Sequence, residues 1–84
     1  MDNYVKLYIV DDEKMAIEYF KRLIEGLSPA CKVVGEALHG PTALEEIPKV
    51  QPDIVFVDIS MPVMNGLVLA ERILQQNKNQ IIVL

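Results

Sequence analysis

The sequence has little of what would place it outside the cytoplasm or on a charged polymer. Its 84 residues include one cysteine, Cys31, so no intrachain disulfide can form and a cytoplasmic setting is expected. Cys31 itself reads as a small, half-buried hydrophobe. No stretch approaches the ~20 apolar residues of a membrane span. The N-terminal MDNYVKLYIVDDE lacks a signal-peptide layout, because its apolar run is short and ends in acid. No basic run stands out and the net charge is −4, which argues against this segment binding nucleic acid or an anionic membrane. A Gly-rich phosphate loop is also missing, and the turn after the first apolar run is acidic, which argues against nucleotide binding. Repeats, low-complexity tracts and linkers are absent. What is present is globular in character, 51% hydrophobic and 24% charged. The length suits one domain, residues 1–84, with no second domain. A chain this short buries only about 60–65% of its unfolded surface, so marginal stability is expected.

Four short runs rich in Val and Ile alternate with helix-like segments: Val5–Val10, Lys32–Leu38, Ile54–Val57 and Ile81–Leu84. The third and fourth lack polar alternation, which predicts strands buried on both faces. After the first run, Ala16, Phe20, Leu23 and Leu27 recur at helical spacing, and Ser28-Pro29 closes the segment. A shorter helix, about Pro41 to Ile47, follows the second run. Pro41 suits its first turn, and Pro48 is expected to end or kink it. Asn65-Gly66 forms a turn, after which Leu67, Ala70, Ile73 and Leu74 mark one face of a third helix. The alternation β-α-β-α-β-α-β predicts an α/β fold, a parallel sheet with helices on its faces.

The chemistry lies where the first and third runs end. The first finishes YIV-Asp11-Asp12-Glu13 and the third finishes VFV-Asp58. In a parallel sheet all strand C-termini share one edge, and ligands bind beyond it where the strand order reverses. If the two runs are neighbours, Asp11, Asp12 and Asp58 converge there. Carboxylates that close repel one another, and a divalent cation relieves the repulsion. A hard oxygen donor set suits Mg²⁺, which keeps several waters and leaves room for a phosphate. The cation would let an anionic phosphoryl group approach and would stabilise charge on the transferring oxygens. A carboxylate is a competent nucleophile for that transfer and gives an acyl phosphate. Against this stands the plain reading of such acids as helix caps, which Asp12 or Glu13 alone could satisfy.

Taken together, YIVDDE, the segment PDIVFVD-IS-MP-VMNG from Pro52 to Gly66, and the order of elements resemble the receiver domain of two-component response regulators. The resemblance runs through essentially the whole chain. The DD pair is weak evidence, whereas D-I-S-M-P-x-M-N-G after an apolar strand is highly specific. The implied fold is flavodoxin-like, a three-layer α/β/α arrangement with strand order 2-1-3-4-5. The resemblance implies that Asp58 is the phosphoacceptor, taking its phosphoryl group from the phosphohistidine of a sensor histidine kinase. It implies Asp12 as a direct Mg²⁺ ligand, Asp11 as an acid reaching the metal through water, and Asp58 and the Ser60 backbone carbonyl as further ligands. Met61-Pro62 and Asn65-Gly66 match the loop that shapes the site, where Pro62 fixes φ and Gly66 permits geometry other residues resist. The implied protein is not an enzyme but a cytoplasmic phosphoprotein regulating an output, transcription in the usual arrangement, with any DNA contact made by a separate output domain.

The sequence also departs from the family. It stops at Leu84, at the end of the fourth strand, so the domain reads as incomplete at its C-terminal end. The family's switch Ser or Thr and the Lys after its fifth strand would both follow. Right-handed crossovers put the first helix on one face and the next two on the other. One helix, about 10 Å wide, cannot cover four strands spanning ~19 Å, so a bare apolar strip and an open fourth-strand edge are expected. The chain is therefore expected to fold poorly alone or to associate with copies of itself through that edge and face. Two other functions compete. One is a non-phosphorylated receiver-like dimerisation module. The other is a Mg²⁺-dependent phosphatase of haloacid-dehalogenase type, disfavoured because Asp11-Asp12-Glu13-Lys14-Met15 lacks that class's D-x-D-x-T. His39 reads as a solvated loop residue, Tyr4, Tyr8 and Tyr19 as packing residues, and Glu45-Glu46 and Glu71–Lys78 as solvated helix faces.

Overall fold

A computed structural model describes residues 4–84. The elements run β1 (Val5–Val10), α1 (Lys14–Leu27), β2 (Cys31–Ala37), α2 (Gly40–Val50), β3 (Ile54–Val57), α3 (Gly66–Gln76) and β4 (Ile81–Val83). The four strands form one parallel sheet in the order β2-β1-β3-β4, so the reversal of strand order falls between β1 and β3, as the sequence predicts. β2 carries an irregularity where Leu7 pairs with Val33 but Tyr8 pairs with Gly35.

The core is divided by the sheet. On the α2–α3 side, Tyr8, Val10, Ala37, Ala43, Ile47, Val55, Val57, Met61, Leu69 and Ile73 form one buried cluster. On the α1 side, Leu7, Ile9 and Ile17 are buried, and Phe20 packs on Phe56 with ring centroids 4.9 Å apart. α1 does not reach the far edge. Its Leu23 and Leu27 and the β4 residues Ile81 and Val83 are exposed, and the strip between them stays bare. The pattern IVFV therefore reads too strongly, because β3 is fully buried on alternate residues only and β4 on none. Apolar character on both faces of a strand requires a helix on each, and here one face has too few.

Several helix expectations shift for similar reasons. Ile17, not Ala16, is the buried residue of α1, since the helix lies against the β2 side of the sheet and leaves Leu23, Leu27 and Tyr19 outward. In α3 the buried line is Gly66, Leu69 and Ile73, while Leu67 and Leu74 are exposed. Pro48 does not end α2, which continues to Val50. Proline removes only its own N–H, and so near the last turn one carbonyl loses a partner while the Gln51 N–H still bonds to the Ile47 carbonyl at 2.8 Å. Glu46 is not a solvated residue either. It accepts a hydrogen bond from the Tyr8 hydroxyl, and burial with this bond holds that phenol well above its ordinary range.

Candidate functional site

β1 and β3 run side by side and end together. The Asp58 N–H donates to the Val10 carbonyl at 2.9 Å, and the Asp11 N–H to the Ala37 carbonyl at 3.1 Å. The ladder thus extends one rung past each strand and fixes both acids at the sheet edge, where β1 must part its neighbours' connections. There Asp11, Asp12 and Asp58 each place a carboxylate oxygen within 4.8 Å of the others. Asp11 and Asp58 are half-buried and Asp12 is exposed.

Each inner acid is partly held by backbone. The Glu13 N–H donates to Asp11 Oδ1 at 2.9 Å, and the Ser60 N–H to Asp58 Oδ1 at 3.2 Å. Glu13 stands at the start of α1 without a side-chain cap, so the capping reading of Asp12 and Glu13 is not what the structure shows. Burial raises the Asp11 carboxyl above its usual range. The Glu13 N–H opposes this, and the charges of Asp58 and Asp12 reinforce it. An all-oxygen set of three close carboxylates, one of them already resisting ionisation, has the chemistry of a hard divalent-cation site.

The β3–α3 loop closes over this edge. Met61 is buried in the core, the Gly66 N–H donates to the Ile59 carbonyl at 2.9 Å, and Asn65 caps α3 by accepting from the Val68 N–H at 3.0 Å. Gly66 is required by space rather than by φ. A Cβ there would meet the Asp58 carbonyl oxygen and lie 2.8 Å from Ile59 Cα. Gly40 makes the matching gap on α2, where a Cβ would lie 2.6 Å from Met64 Sδ. Pro62 is exposed, and the Met64 N–H returns to its carbonyl at 2.7 Å. This three-residue turn has Val63 at its apex with φ 69°. A positive φ at a β-branched residue costs about 1–2 kcal/mol, and nothing in the local sequence announces it. At Ser60 the defined interaction is its N–H to Asp58.

The fold and the acid edge together define a class of parallel α/β domain with an acidic site beyond the ends of its central strands. Residues 7–84 match the family described as the response regulator receiver domain, and the chain belongs to it. It is 41% identical over 75 residues to an uncharacterized response regulatory protein of Vibrio cholerae, covering 89% of this chain and 29% of that protein. It is 37% identical over 70 residues to a protein-glutamate methylesterase/protein-glutamine glutaminase of Treponema pallidum, covering 83% of this chain and 17% of that one. A LuxR-family two-component response regulator from Aurantimonas superposes with TM-score 0.89 at 30% identity, over 94% of this chain and 56% of that one. The chain thus spans less than two thirds of each relative.

Proposed function

We propose that this chain is the phosphoacceptor module of a two-component pathway, with Asp58 as the acceptor. The observation that carries this is the meeting of Asp11, Asp12 and Asp58 within 4.8 Å at the switch point of the sheet. An Asp58 carboxylate oxygen attacks the phosphorus of a phosphohistidine on a sensor histidine kinase. The new O–P bond forms as the P–N bond breaks, its electron pair stays on the imidazole nitrogen, and that nitrogen takes a proton from water. Asp11, Asp12, Asp58 and the Ser60 carbonyl would hold Mg²⁺. When bound, the ion neutralises the carboxylates and the transferring oxygens. The Ser60 N–H orients Asp58, and Gly66 lets the loop lie against it. The chain accepts one phosphoryl group and turns over no substrate. It regulates an output, transcription in this reading, through residues other than these. A cytoplasmic location agrees with the single cysteine, and no helix among the described residues is long and apolar enough to cross a membrane.

The test is labelling of the full-length protein by acetyl phosphate and by an autophosphorylated histidine kinase, with Mg²⁺ and with a chelator. Labelling that needs Mg²⁺ and disappears in Asp58→Asn is expected. Equal labelling of Asp58→Asn would overturn the assignment.

A second reading concerns association. The bare strip is a groove of about 380 Å³ bounded by α1 residues Tyr19, Phe20 and Leu23 and by Phe56, Val83 and Leu84, and it adjoins the open β4 edge. Groove and edge together favour pairing with a second copy of these 84 residues. Light scattering on this 84-residue chain should show oligomers, and a folded monomer across a wide concentration range refutes it.

A further inference from the structure

Val63 is held in a conformation its side chain disfavours; the Met64 N–H to Pro62 carbonyl bond closes the turn around it, but its own side chain is left in solvent. Its φ is 69° and it is 100% exposed. The loop is pinned on both sides of it: Met61 is in the core, Met64 lies on Gly40, and Gly66 is packed against Ile59 and the Asp58 backbone. The turn therefore cannot relax by shifting, and Asn or Gly would occupy the apex with less strain. Strain kept at an exposed position beside a reactive group points to function.

The surroundings say what Val63 could meet. It borders a depression of about 460 Å³ lined by Asp12, Leu38, His39, Pro41, Pro62 and Val63. All three loops at the acid edge contribute to it, and Asp12 belongs to both depression and acid cluster. Its walls are otherwise mainly apolar, with Leu38 38% exposed. A small phosphodonor has no use for such walls, since it need only reach Asp58. A protein donor must cover about 800 Å² around the phosphorus, a patch roughly 16 Å in radius that takes in this loop.

We infer that Val63 is a specificity-determining contact for the protein that donates the phosphoryl group, seating an apolar side chain of that donor in the depression beside Asp12. The inference rests on the acceptor reading of Asp58 and adds to it where the donor docks.

The experiment compares full-length wild type with Val63→Asn, Val63→Gly and Val63→Ile, using two donors. In each transfer the O–P bond to Asp58 forms as the donor's bond to phosphorus breaks, releasing acetate from acetyl phosphate or leaving the kinase's histidine as unphosphorylated imidazole. With acetyl phosphate, all variants should label within about twofold of wild type, because the acids are untouched. With an autophosphorylated kinase that labels wild type, Val63→Asn and Val63→Gly should lose about tenfold in kcat/KM, mainly through KM, while Val63→Ile keeps the rate. Val63→Asn, which relieves the strain without glycine's added chain entropy, should melt no lower than wild type, so lost transfer cannot be blamed on lost folding. Kinase transfer as fast as wild type in Val63→Asn overturns the inference. Parallel loss with acetyl phosphate also overturns it, by showing that Val63 acts through the shape of the acid edge. Failure of wild type to label with either donor overturns the acceptor reading itself.

Discussion

Replacing Gly66 by alanine sets two effects of opposite sign against each other. Gly66 opens α3, has no positive φ, and by helix propensity alone alanine should stabilise it by at most ~1 kcal/mol. Space argues the other way. The new Cβ would press on the Asp58 carbonyl oxygen, and would sit 2.8 Å from Ile59 Cα and 2.9 Å from the Asp58 carbonyl carbon. Comfortable carbon–carbon contact is about 3.5–4.0 Å, so roughly 0.7 Å or more must be found by moving backbone, since no rotamer can yield it. Overpacking of this kind costs about 1–3 kcal/mol. The net expectation is a loss of about 1–2 kcal/mol, with the melting temperature falling by roughly 4–8 °C per kcal/mol. The displaced backbone belongs to Asp58, so labelling should fall further than folding does, on the order of 10²-fold for a shift near 1 Å. Urea denaturation and the initial rate of acetyl phosphate labelling would be measured on the full-length protein. Gly26→Ala is the control, because nothing lies within 4 Å of its Cβ position and it should gain about 0.5–1 kcal/mol. Unchanged labelling with equal or greater stability in Gly66→Ala would refute the steric argument.

Two further outcomes follow from other contacts. A Cβ on Gly35 would lie 2.6 Å from Tyr8 Cε2, so Gly35→Ala should cost about 1–3 kcal/mol alone but clearly less in a Tyr8→Leu background; additive costs in a urea double-mutant cycle would disprove the coupling. Lys21 Nζ lies 3.0 Å from Glu36 Oε1, a bond that lowers the Glu36 carboxyl and raises the Lys21 ammonium. For the lowered acid, the stabilisation is complete above the ordinary Glu value of about 4.3 and is lost as pH falls through the folded value; for the raised base, it is complete below about 10.4 and lost as pH rises through the folded value. The stability gap between wild type and Glu36→Gln should therefore be flat between about pH 5 and 9, close in acid, and shrink with added salt. A gap that widens in acid would contradict the pairing.

Local pattern was enough for much of this protein. Short Val- and Ile-rich runs separated by helical periodicity name the elements, and acids placed directly after two of those runs name the site, because in a parallel sheet every strand end falls on one edge. β1 and β3 carry the boundaries that the sequence predicts, and the order β2-β1-β3-β4 brings Asp11, Asp12 and Asp58 together. What local pattern could not reach depends on partners distant in the chain. Glu46 looks like the solvated half of an acidic pair until Tyr8, on another element, gives it a hydrogen bond. Tyr19 reads as a packing residue but is 66% exposed, because α1 rolls so that Ile17 meets the sheet. Pro48 looks like a helix end, yet α2 continues because the lost bond falls in its final turns. Val63 carries no mark in its neighbours of the positive φ it adopts, which follows from three separate anchors of the loop around it. The sequence by itself determined which elements form and which acids stand at their ends, since both are set by spacing along the chain. Only the tertiary structure decided which face each helix buries, which polar groups are paired, and where strain is kept, since each is set by what packs against it.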